Sequence, residues 1–77
     1  MTPESTAALA TLRQMARGHP GASSGERAAW EVLQNLEHGT PIDFADAFVS
    51  MDGRGKHAIV RLLVDLSIGK TGLIEFR

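Results

Sequence analysis

Apolar residues recur along the chain at helical spacing in three blocks. Ala8, Leu9, Leu12, Met15 and Ala16 form the first, and Ala29, Val32, Leu33 and Leu36 the second. Ile59, Leu62, Leu63 and Leu66 form the third. Steps of three and four residues place each set on one side of a helix. The blocks predict helices over roughly 3–17, 24–38 and 54–68. Their ends carry matching signals. Thr2 is an N-cap ahead of Pro3, whose missing N–H costs nothing in a first turn. Ser23 and Glu26 have the spacing of a capping box. Arg17 suits the last turn of the first helix, and Gly18 stops it. Residues 18–25, "GHPGASSG", read as a linker. His38 and Gly39 close the second helix, with Gly39 in the left-handed cap position.

The segment "TPIDFADAFVSMD" predicts a shorter helix over about 43–50, capped by Asp43. So short a helix is unstable alone, so Phe44 and Phe48 must pack against the rest. The last helix starts near Asp52, a good N-cap, although the glycines of "GRGK" weaken its first turn by about 1 kcal/mol each. Val60 and Val64 widen its apolar arc to roughly 200°, leaving Arg54, Arg61 and Asp65 as the polar face. An arc that wide means either a central helix with two neighbours or a helix that meets another molecule. The tail "KTGLIEFR" carries Leu73, Ile74 and Phe76. It folds back on the core as an extended cap, or it pairs with a second copy.

These elements predict one all-α domain spanning residues 1–77: a compact arrangement of three main helices and a short one, with the tail 70–77 on the core. Chains of this length bury only about 60% of their unfolded surface, so the core is marginal. The sequence has no cysteine, which removes disulfides and cysteine-ligated zinc and fits a reducing, cytoplasmic setting. Met1–Met15 lacks a secretory pattern. The most apolar run, Ile59–Ile68, is broken by Arg61 and Asp65 and is too short for a membrane span.

Net charge is −1, no signature of a nucleic-acid binder. The charges are nevertheless uneven. Glu31, Glu37, Asp43, Asp46 and Asp52 occur in a stretch without Lys or Arg. From Arg54 onward, five bases face only Asp65 and Glu75. Gly69-Lys70-Thr71 resembles the end of a phosphate-binding loop, but Val64 stands where that loop needs glycine, and no helix follows. Arg54, Lys56 and His57 at the start of the last helix form a candidate anion site, and with Arg61 a candidate nucleic-acid contact. His19, His38 and His57 are far apart in sequence, and the aspartates lack calcium-loop spacing, so no metal or other cofactor is expected. Ser23, Ser24 and Ser50 lack a nucleophile context, and no catalytic residue is assigned.

Trp30 lies beside the second apolar stripe, either at the core edge or as an exposed interface anchor. Val60, Val64, Ile74 and Phe76 are the candidate self-association contacts. The stretches "LATLRQMARGHPGASSGERAAWEVLQNLEHG" and "IDFADAFVSMDGRGKHAIVRLLVDL", with a terminal "GLIEF", resemble a family of small all-helical domains of proteobacterial plasmids, integrative elements and phages. That resemblance implies an all-helical accessory protein of a mobile element and carries no activity. The expectation is a non-enzymatic interaction module, a small regulator or inhibitor with a protein partner or a second copy of itself. The alternative is a dimeric nucleic-acid binder using Arg54, Lys56, His57 and Arg61.

Overall fold

The computed structural model describes residues 1–17 and 23–77. Four α-helices follow in order: α1 (Pro3–Ala16), α2 (Ser24–His38), α3 (Phe44–Ser50) and α4 (Gly53–Ser67), then a 3-10 turn at Leu73–Glu75. The fold is all-α, and no strand occurs among the described residues. Helix ends agree with the sequence pattern to within one residue. The expected stop at Gly18, most of the linker and His19 lie outside the described residues, while Ser24 and Gly25 already belong to α2.

Every expected N-cap forms. Thr2 Oγ1 accepts the Ser5 N–H at 3.0 Å, and Ser23 Oγ accepts that of Glu26 at 3.3 Å. Asp43 Oδ1 accepts the Asp46 N–H at 3.1 Å, and Asp52 Oδ1 that of Gly55 at 2.9 Å. Each satisfies a donor that has no partner within its helix, worth about 1 kcal/mol. Gly39 and Gly69 take positive φ (70° and 79°) and turn the chain out of α2 and α4.

α1 packs against both α2 and α4, while α3 lies on α2 and touches α4 more lightly. α1 and α4 run antiparallel, since Ser5 meets Asp65 at one end and Met15 meets Gly55 at the other. Leu12, Ile59 and Leu62 are almost wholly buried at the centre. The tail packs on its own chain, as a 3-10 turn rather than an extended cap. Phe76 is buried, and Arg77 Nε donates to the Leu36 carbonyl at 3.0 Å, covering the end of α2.

The inward face of α4 departs from expectation. It consists of Gly55, Ala58, Ile59, Leu62 and Asp65, with Leu66 at its edge. Leu63, expected in the core, is 44% exposed, and Asp65, expected on the polar face, is 2% exposed. The rotation follows from what Asp65 touches. Its Oδ2 accepts hydrogen bonds from Thr2 Oγ1 and Ser5 Oγ, both at 2.6 Å. Arg61 lies 3.9 Å from its other oxygen. Thr71, also buried, donates to Ser5 Oγ at 3.3 Å. The Asp65 carbonyl accepts the N–H groups of Lys70 and Thr71. One residue thus ties the start of α1, the end of α4 and the tail. The bonds from Ser5, then Thr2, hold its carboxyl below the ordinary 3.8; burial opposes this, and Arg61 and Lys70 add attraction.

Gly55 explains the weak-looking start of α4. A Cβ there would lie 2.9 Å from Met15 Cε, 2.9 Å from Met51 Sδ and 3.1 Å from Met51 Cβ. Bare backbone lets α1 and the α3–α4 turn close on α4. At Gly53 a Cβ would meet nothing within 4 Å. Substitution to alanine should therefore have opposite signs at the two sites. In urea denaturation, Gly53→Ala should stabilise by ~0.5 kcal/mol, whereas Gly55→Ala should destabilise by ~1 kcal/mol as overpacking outweighs helix propensity.

The folded pKa of Asp65 lies below its unfolded value. Its stabilisation is therefore complete well above 3.8 and is lost as pH falls through the folded value. Asp65→Asn should be less stable than wild type at pH 7. The difference should shrink in strong acid, where the wild-type carboxylate is protonated. Denaturation curves at both pH values check this.

Candidate partner-binding surface

α4 presents three faces. One is the core face. A second carries Arg54, His57 and Arg61 at steps of three and four residues, beside α1. The third carries Lys56, Val60, Leu63, Val64 and Ser67 at the same helical steps. On this third face Val60 is 48%, Leu63 44% and Val64 38% exposed. Among the described residues no neighbouring helix covers it: α1 packs on the core face, and α3 touches α4 more lightly, with Phe48 near Lys56 and Phe44 sharing a cavity with Leu63. The wide apolar arc is therefore spare surface rather than the mark of a central helix.

α3 extends this face. Phe44 stacks on Phe48 with ring centroids 6.0 Å apart, and Lys56 Nζ lies 6.0 Å from the Phe48 centroid. Phe48 packs half-buried against the core as expected, but Phe44 is 43% exposed. Phe44 and Leu63 form the lips of a small cavity of about 90 Å³, with Val32, Leu36, Ile59 and Leu62 among its walls. It opens between α2 and α4, which do not pack closely on each other. Its volume matches one aliphatic side chain, and its walls are apolar apart from Asn35.

The other expected contacts are dispersed. Trp30 is 39% exposed in a more polar hollow with Arg27, Glu31, Thr40 and Asp43; Ile42 lines both this hollow and the apolar cavity. Ile74 stands 85% exposed on the tail. Phe76 is 6% exposed within its own core, so its ring is not part of any partner surface. Phe44 and Leu63 join Val60 and Val64 instead. The excess width of the α4 arc was the sequence signal for Leu63; Phe44, on α3, had none.

The basic residues also divide. Arg54, His57 and Arg61 line a groove against α1, whereas Lys56 lies over Phe48. The Asp52 carboxylate already occupies the start of α4, so the anion site expected from Arg54, Lys56 and His57 around that terminus does not assemble. The Gly69-Lys70-Thr71 sequence serves as a helix stop with Thr71 turned into the core. Among the described residues no three acidic or histidine side chains gather as a metal site. No helix among them is long and apolar enough to cross a membrane.

The exposed valines can be tested against the core. Val60→Lys and Val64→Lys should each change unfolding free energy by no more than about 0.5 kcal/mol. Leu62→Ala, two residues from each and on the buried face, should cost about 2–5 kcal/mol. Urea titration of the three variants separates the two faces. No family model, curated protein or solved structure matches the chain, so its role is argued from its own geometry.

Proposed function

We propose that the protein is a non-enzymatic interaction module, a small regulator or inhibitor that acts by occupying another protein. The observation that carries this reading is the exposed apolar group Phe44, Val60, Leu63 and Val64, of which Phe44 and Leu63 line a side-chain-sized cavity. Retaining such groups on the surface of a small domain is costly to solubility unless a partner covers them. The four residues expose roughly 300 Å², the order of the largest apolar patch on a typical monomer. Doubled across a two-fold axis, that area falls short of the ~1,200 Å² of a stable interface. Self-association through this face alone is accordingly weak. The patch has the scale of an interface centre, completed by a partner's polar rim. Its placement in a mobile element or phage rests on the sequence resemblance, and its cytoplasmic setting on the absence of cysteine.

The alternative, a dimeric nucleic-acid binder, draws on the clustering of Arg54, His57 and Arg61 in one groove. Glu4 shares that groove and Lys56 points elsewhere, which leaves few phosphate contacts.

A tagged wild-type chain should retain a stoichiometric protein from native lysate after nuclease treatment, and Val64→Lys should lose it. Sedimentation of wild type should show at most weak, concentration-dependent dimerisation, absent in the same variant. Partners that vanish with nuclease would instead support the nucleic-acid reading, as would affinity falling steeply with salt.

A further inference from the structure

The α1–α4 groove is a second surface, adjoining the exposed valines on α4, since His57 lies one turn before Val60 and Arg61 one turn before Val64. It is an open groove of about 690 Å³ with the buried Ala8 and Ala58 at its base and the exposed Ala7 beside them. Such short side chains let another backbone approach closely. One wall carries Arg54, His57 and Arg61, spanning two helical turns, or about 10 Å. Arg54 and His57 have no acidic partner among the described residues, and Arg61 reaches only Asp65 at 3.9 Å. The other wall carries Glu4 and Thr11. Because the helices are antiparallel, Glu4 lies toward the Arg61 end and Thr11 toward the Arg54 end. The Arg54–His57 end is therefore the more positive.

We infer that this groove binds an acidic amphipathic helix of a partner protein, with small residues against the alanine floor and carboxylates against Arg54, His57 and Arg61. The cations recur at steps of three and four residues, so carboxylates at the same steps on a facing helix meet them in register. An apolar floor favours a peptide, whose side chains can bury against it, over a nucleic-acid backbone, whose contacts are charged and hydrogen-bonded. Glu4 excludes a uniformly anionic polymer from one end and suits a helix carrying a single cation there.

The test uses the full chain and a synthetic helical peptide of alanine, leucine, glutamate and one terminal lysine, about 18 residues long for adequate helicity. Its glutamates repeat at steps of three and four. A matched peptide carries glutamine in their place. Amide NMR shifts at Ala7, Ala8, Thr11 and Ala58 report occupancy. The glutamate peptide should give saturable shifts there, weakened at least tenfold by Arg54→Glu and by raised salt, and unaffected by the uncharged Leu63→Ser on the far flank of the apolar face. That last comparison separates this groove from the apolar face, so either surface can fail alone. No saturable shift at millimolar peptide, or equal binding of the glutamine peptide, would overturn the inference. So would tighter occupancy of the same residues by a DNA duplex, or saturation of the groove by inorganic phosphate alone.

Discussion

The buried carboxylate of Asp65 fixes the relation between the two ends of the chain. A charge removed from water is costly unless its lone pairs are satisfied. Here the satisfaction comes from hydroxyls on a different helix, Thr2 and Ser5, with Arg61 at the rim. Those bonds require α1 to begin beside the last turn of α4. They also require α4 to turn Asp65 inward, which carries Leu63 and the valines outward. The backbone carbonyl of Asp65 then receives the chain as it leaves the helix, so the tail returns across α1 and seats Phe76. At the far end of the same helix pair, the bare Gly55 backbone allows the closest approach to Met15 and Met51. The α1–α4 pairing is thus pinned by polar bonds at one end and by close packing at the other.

This pairing determines what the surface offers. α1 packs on one side of α4, and α2 and α3 leave another side open. The uncovered side becomes the apolar face, continued by Phe44 and indented by the cavity between α2 and α4. The flank beside α1 becomes the cationic groove. α4 thus carries two adjoining surfaces of different chemistry, one apolar and one cationic.

The helices and their ends were legible because the information is local. Thr2, Ser23, Asp43 and Asp52 cap helices through donors three residues away. Gly39 and Gly69 stop them through their own backbone freedom. The stripes of α1 and α2 are flanked by polar residues that leave one choice of buried face, and that choice was correct. The likeness of Gly69-Lys70-Thr71 to a phosphate loop could be dismissed on spacing alone.

α4 is where the sequence determined less. Its apolar arc is wider than one interface, so periodicity admits several rotations, and summed hydrophobicity favours burying Leu63 over Asp65. Only the tertiary structure supplies the hydroxyls of Thr2 and Ser5, far away in the chain, that make the carboxylate the better inward group. The same holds for Gly55, which local propensity reads as a weakness and the packing of Met15 and Met51 turns into a requirement. It holds for Lys56, which separates from Arg54, His57 and Arg61 because Phe48 of α3 lies beneath it. Element type and caps follow from neighbours in sequence; the choice of buried face, and hence of the surfaces left for partners, depends on groups that only folding brings together.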